Sequence, residues 1–330
     1  MKQAANTAGL LALPVDQAVC RTGLALLEAA GDAAQRLQTD ADPEALHGFR
    51  VALRRLRSNL RIYRPALAAP VPGKRLRQVA ALARITNEAR DSEVEIQWLG
   101  TVRGRIRPHE RPGCDWLLHA LQERARAAYR SIDDYDVPRR FHRLKVKLGR
   151  ALQQGATAHG PPFARVLAAS LHEACDTLEV RLQRLQSSPD ESDAHQARIA
   201  GKRVRYILEP VREDLPGAGT AVGRLKALQD LLGAIHDCQV MEGDLMDLAA
   251  AAAAEKARRL MELTLTGEGG TGAAERRQGY RAGLLAVGGL LRERREALFR
   301  QLTGVLAAVE TPDAVGTVRV LADRLAASGR

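Results

Sequence analysis

At 330 residues and 35.8 kDa the chain exceeds what one small core needs and has the length of two ordinary domains. A hydrophobic fraction of 45% beside 27% charged residues excludes wholesale disorder, and four cysteines are too few for a disulfide scaffold. Lys and Arg number 50 against 39 Asp and Glu, a formal charge of +11, so the natural partner is an anion.

The apolar periodicity and its Pro/Gly punctuation predict a short tail over 1–13 and then helices near 14–38, 43–64, 74–104, 113–130 and 138–154. A second set is predicted near 162–187, 191–212, 220–265, 273–308 and 312–328. No segment alternates as a strand does, and aromatic residues make up only 3%, so the expected class is all-α. Gly155 to Pro162 reads as the joint between a first half, 14–156, and a second, 157–330; Gly267–Gly272 reads as a hinge or loop.

Cys20, Cys114, Cys175 and Cys238 form no Cys-x-x-Cys pair and read as small core residues. Pro14 and Asp16 interrupt the apolar stretch Leu10–Leu13 well short of a secretory core. No apolar run approaches the roughly 20 residues of a membrane span. A cytoplasmic, bacterial-style protein is the expectation.

The chain repeats itself at a shift of 148. Gln35-Arg36-Leu37-Gln38 recurs as Gln183-Arg184-Leu185-Gln186, and Pro14 and Pro162 each open a helix. His47-x-x-Arg50-x-x-x-Arg54-Arg55-x-Arg57 recurs as His195-x-x-Arg198-x-x-x-Lys202-Arg203-x-Arg205. A further block, Leu82 to Arg90-Asp91 and Val94, answers Leu228 to His236-Asp237 and Val240 at a shift of 146. The pattern is a tandem duplication.

At about 100° per residue, His47, Arg50, Arg54, Arg57 and Arg61 share one arc of a helix, and Phe49, Leu53, Leu56 and Leu60 share the opposite face. In the second copy His195, Arg198, Lys202 and Arg205 line one arc, and Val204 and Leu208 with Ala197 and Gly201 form the other. Glu209 stands where the first copy has Arg61. Like charges at i, i+4 repel, so such stripes destabilise a helix until a ligand removes the repulsion. A solvated basic face is the plain alternative. Duplication argues against it, because two equivalent stripes under twofold packing would face a shared groove or pore.

A helical histidine is commonly a packing or capping residue. His47 and His195 recur in register, and either could donate to an anion when protonated. Neither has a second histidine or a carboxylate at i+3 or i+4, so zinc is disfavoured. Asp91 and Asp237 read as carboxylates that orient neighbouring basic side chains rather than as general bases.

These motifs, with Leu225-Lys226-x-Leu228-Gln229-Asp230-x-Leu232-Gly233-x-x-His236-Asp237, resemble the CHAD family, the conserved histidine α-helical domain, over nearly the whole chain. The resemblance implies two four-helix bundles related by a pseudo-twofold axis, around a basic central pore that binds long-chain inorganic polyphosphate. The first-half lining it implies is His47, Arg50, Arg54, Arg55, Arg57, Arg84 and Arg90, with Arg61 continuing the stripe. The second-half lining is His195, Arg198, Lys202, Arg203, Arg205, Lys226 and His236. Thr86-Asn87 departs from the family's Leu-Gly at that position. The basic segment Arg139–Arg150 is a candidate extension of the surface.

Glu93-Val-Glu95-Ile-Gln97 lacks the lysine of a triphosphate-tunnel strand, and no phosphate-binding loop of the Gly-x-x-x-x-Gly-Lys type occurs. Phosphoryl transfer needs metals held by clustered carboxylates, whereas these motifs are nearly all cationic. The expected function is therefore non-catalytic polyphosphate binding with no cofactor, with polyphosphate granules as a candidate location. A nucleic-acid backbone binder is the alternative, and a metal-dependent polyphosphate or triphosphate hydrolase is disfavoured.

Overall fold

The computed structural model describes residues 9–37, 43–158, 160–187, 190–266, 280–307 and 310–328. Among them the elements are helical: α1 (Val15–Arg36), α2 (Pro43–Ile62), α3 (Gly73–Ile85), α4 (Asn87–Val102), α5 (Arg111–Asp134) and α6 (Val137–Gly155). There follow α7 (Phe163–Ser187), α8 (Glu191–Leu208), α9 (Ala218–Leu265), α10 (Arg281–Ala307) and α11 (Glu310–Ser328). The protein is all-α. Leu10–Ala12 of the expected tail form a 3-10 turn with Leu10 buried. The Gly267–Gly272 segment lies outside the described residues.

Two compact units form, and each draws on both sides of residue 157. One comprises 1–87, 129–233 and 301–330; the other comprises 88–128 and 234–300.

In the first unit α1 packs on α2 and α6, and α7 packs on α8 and α11. A reciprocal link joins the two sets. The Val15 N–H donates to the Pro161 carbonyl at 3.0 Å and the Phe163 N–H donates to the Leu13 carbonyl at 2.9 Å. These bonds exchange partners 148 positions apart. Each proline lacks an N–H, so the following residue supplies the orphan donor of the helix start, and the other strand's carbonyl satisfies it. Buried Asp16 completes this corner by accepting from the Ala68 N–H at 3.1 Å and the Thr157 hydroxyl at 2.8 Å. The core is closed by edge-on aromatic pairs, Phe49 with Phe141 and Tyr63 with Phe163.

The core of the second unit gathers Trp98, Leu99, Leu117, Leu121, Met241 and Val287. There α5 and α10 cross at two glycines. A Cβ on Gly113 would stand 2.1 Å from the Tyr280 carbonyl, and one on Gly283 would stand 2.1 Å from the Glu110 carbonyl. Neither backbone approach tolerates a side chain. All four cysteines are free and buried.

One predicted helix is two. The expected 74–104 segment ends at Ile85, and α4 begins at Asn87. The intervening Thr86 has φ −94° and ψ 1°. Its hydroxyl donates to the Ala83 carbonyl at 2.8 Å, competing with helical pairing there. At the equivalent Leu232-Gly233 the helix α9 continues unbroken from 218 to 265.

Candidate functional site

The helices α2 and α8 pack against each other within the first unit. On α2, Phe49, Leu53, Leu56 and Leu60 are buried, which is the apolar face of the wheel. His47, Arg57 and Arg61 are exposed, and Arg50, Arg54 and Arg55 are half-buried. On α8, Ala197, Gly201, Val204 and Leu208 are buried, while His195, Arg198, Lys202, Arg203 and Arg205 are half-buried. Asp190 caps this helix by accepting from the Asp193 N–H at 2.7 Å.

The two basic motifs meet on a carboxylate. Arg55 Nη2 reaches Glu209 Oε1 at 2.9 Å, and Arg205 Nη1 reaches the same oxygen at 3.0 Å. One cation of each repeat is thus held at a single acceptor. This bridge borders a cavity of about 970 Å³ whose wall includes Arg36, His47, Arg55, Tyr206, Glu209 and Arg212.

Arg50 and Arg198 hold matching positions in the two sequence motifs, and each lies near the position that answers the other's, Asn87 for Arg50 and Gly233 for Arg198. Arg50 Nη1 donates to the Ala83 carbonyl at 3.3 Å, the Thr86 hydroxyl at 3.0 Å and Asn87 Oδ1 at 2.8 Å. It thereby satisfies the broken end of α3. Arg198 Nε lies 4.0 Å from the point where a Cβ on Gly233 would stand. The Thr86-Asn87 departure therefore supplies acceptors to the first arginine, where the second has glycine's open backbone.

The remaining predicted residues differ in what neutralises them. Among the described residues Arg54, Arg57, Arg61 and Arg84 have no carboxylate partner, and the buried Nε of Arg54 has no hydrogen-bond acceptor. Arg203 pairs with Glu173 at 2.9 Å, and Lys226 pairs with Asp230 at 2.9 Å. Arg84 and Lys226 are exposed. The second unit carries Arg90, which pairs with Glu93 at 3.1 Å on its own helix, and half-buried His236.

Burial, and then the cations Arg198 and Lys202, pull the His195 imidazole below its ordinary value of 6.5. It is mostly neutral at pH 7 and stands in a positive field. Among the described residues no cluster of three or more His, Cys, Asp or Glu could hold a metal ion, and no helix is long and apolar enough to cross a membrane.

Sequence reasoning noted Glu209 as a mismatch in the repeat and missed that it bridges both copies. The signal was present: it is the one acid at a stripe position. Glu173 and the α1 wall of the cavity carried no such signal, because their approach depends on how α1 and α7 pack.

The CHAD domain family model matches residues 23–245. The chain belongs to the CHAD family. The crystal structure of the CHAD domain from the plant Ricinus communis is similar to it, with 25% sequence identity and a TM-score of 0.58. That similarity covers 98% of this CHAD chain and 97% of the plant one. No curated protein sequence matches the chain.

Proposed function

We propose that this CHAD-family chain binds inorganic polyphosphate without cleaving it, along the basic faces of α2 and α8 in the first unit. The observation that carries the reading is the shared acceptor: Arg55 and Arg205, from the two repeated motifs, converge on one oxygen of Glu209. Cations of both motifs thus lie within reach of one anionic strand. Among the described residues Arg54, Arg57 and Arg61 have no carboxylate to neutralise them, so the repulsion along α2 is relieved by a bound anion.

Guanidinium forks suit phosphoryl oxygens, and a flexible chain with one charge per internal phosphate can occupy several at once. Displaced counterions drive association, so affinity falls steeply with salt. The tandem repeat, read as two stripes lining one pore or groove, supplies the selectivity through width and charge spacing, because polyphosphate carries no sequence to read. Placement at polyphosphate granules in the cytoplasm follows from that reading. The proposed lining comprises the predicted residues of the first unit, from His47 to Arg84 and from His195 to Lys226.

The test is retention of the full chain on immobilised polyphosphate, with double-stranded DNA and tRNA as competitors at equal phosphate and salt. Arg54→Glu with Lys202→Glu abolishes retention while circular dichroism shows unchanged helix content. Retention by that variant, or displacement by DNA, overturns the reading. Shortening of polyphosphate with magnesium or manganese, stopped by charge reversal at His47 and Arg54, would show a hydrolase instead.

A further inference from the structure

We propose that the cleft between α3 and α6 is a second, separate anion site, taking a compact polyanion with two or more phosphoryl groups, of the size of inorganic triphosphate. The cleft has a volume of about 250 Å³. Its polar wall is Arg75 and Gln78 from α3, Arg140, Arg143 and Lys147 from α6, and Tyr135 just before α6; no carboxylate lines it. Among the described residues none of these four cations has a carboxylate partner.

Two of the cations are already ordered. The Arg140 guanidinium rests over the Tyr135 ring, 4.2 Å from its centroid, and Arg75 Nη1 donates to Gln78 Oε1 at 2.9 Å. Ordering them in advance lowers the entropic cost of gripping a ligand. Arg140, Arg143 and Lys147 follow one another at i, i+3 and i+7, so they share a helical side and repel until an anion is bound.

The molecule contains its own control. Helix α11 packs on α7 as α6 packs on α1. It does so with Val315, Val318, Leu321 and Leu325 inward, as α6 does with Phe141, Leu144, Leu148 and Leu152. Arg319 of α11 is clamped by Asp176 and Glu179 of α7, each at 2.7 Å, as Lys145 of α6 is held by Glu28 of α1. The cation turned to the neighbouring helix is neutralised in both places, whereas among the described residues Arg140, Arg143 and Lys147, which line the cleft, have no carboxylate partner.

The size and chemistry of the cleft select its occupant. Sites for drug-sized ligands occupy roughly 300–1,000 Å³, above this volume. Arg140 covers the Tyr135 ring, so that face is not open to stack a base. A phosphoryl group cluster without a nucleoside fits. It can come from free triphosphate or from the end of a longer chain.

The experiment is calorimetric titration of the full chain with inorganic triphosphate at fixed low salt. Arg143→Gln with Lys147→Gln, and separately Arg75→Gln from the opposite wall, weaken binding, the double variant by about tenfold. On the Arg54→Glu, Lys202→Glu chain, which lacks the α2 and α8 stripes, triphosphate still binds and Arg143→Gln with Lys147→Gln weakens that remaining binding, which separates this site from the stripes. If the α6 variant also loses retention on long-chain polyphosphate, the occupant is a chain end; if retention stays, it is the free triphosphate. Unaltered triphosphate binding in both cleft variants, or loss of tRNA binding with triphosphate binding intact, overturns the assignment.

Discussion

Arg55 and Arg205, 150 residues apart and drawn from the two copies of one motif, donate to the same Glu209 oxygen at 2.9 and 3.0 Å. Glu209 is therefore both a brace between α2 and the end of α8 and a built-in competitor for any phosphate that these arginines would hold. Replacing it with Gln keeps the shape and removes the charge. The Glu209→Gln variant should lose about 1 kcal/mol of stability, since the Arg55 end of the bridge is partly exposed and screened. It should also retain polyphosphate at higher salt than the native chain does. Thermal unfolding reads the first effect and a salt-elution series reads the second; elution at lower salt would show that the bridge positions the site instead of competing with it.

The His195 imidazole titrates below its ordinary value because of burial and the cations Arg198 and Lys202. In the free protein this depressed value means that stability is fully present above the unfolded value near 6.5 and is lost as pH falls toward the folded one. Binding has the opposite sign. An anion that neutralises Arg198 and Lys202 raises the imidazole's affinity for a proton, so association takes one up and weakens as pH rises from 6 to 8. Titrations across that range should show the slope in the native chain and its reduction in His195→Gln. A flat native profile would assign the histidine to packing.

In the second unit, Glu95 is 2% exposed and its carboxyl is pushed up to about 9. Burial is the main cause, followed by hydrogen bonding and charge from Asp244; Arg124 opposes the shift. Arg124 is itself shared, at 2.6 Å from Asp244, 3.5 Å from Glu95 and 3.2 Å from the Ser92 hydroxyl. Since the folded value is raised, the stability Glu95 contributes is complete below about 4.5 and is lost as pH rises through the folded value. Glu95→Gln preserves a neutral side chain and should remove a slope of one proton from the stability profile between pH 5 and 9. Denaturant melts of both proteins at several pH values measure it; parallel profiles would show that Glu95 is ionised in the fold.

The crossing of α5 and α10 at Gly113 and Gly283 should be intolerant of any side chain. Gly283→Ala places a methyl against the Glu110 carbonyl and 2.6 Å from the Cys114 nitrogen, so the helices must part, at about 2–3 kcal/mol. Gly243→Ala on α9, with nothing within 4 Å, should instead gain up to about 1 kcal/mol from helix propensity. Hydrogen exchange in the second unit, compared between these variants, checks both signs.

The all-α class, the buried face of α2 at Phe49, Leu53, Leu56 and Leu60, and the cationic composition of both repeated helices were legible in the linear order of residues. Each depends on local periodicity, which a chain displays without its partners. Four things were decided by tertiary packing: the break at Thr86, the sharing of Glu209 by two arginines, the burial of Glu95 beside Asp244, and the division into units that draw on both sides of residue 157. Each depends on which helix lies beside which. That is set by the summed burial of many side chains distant in sequence, and no local pattern records it.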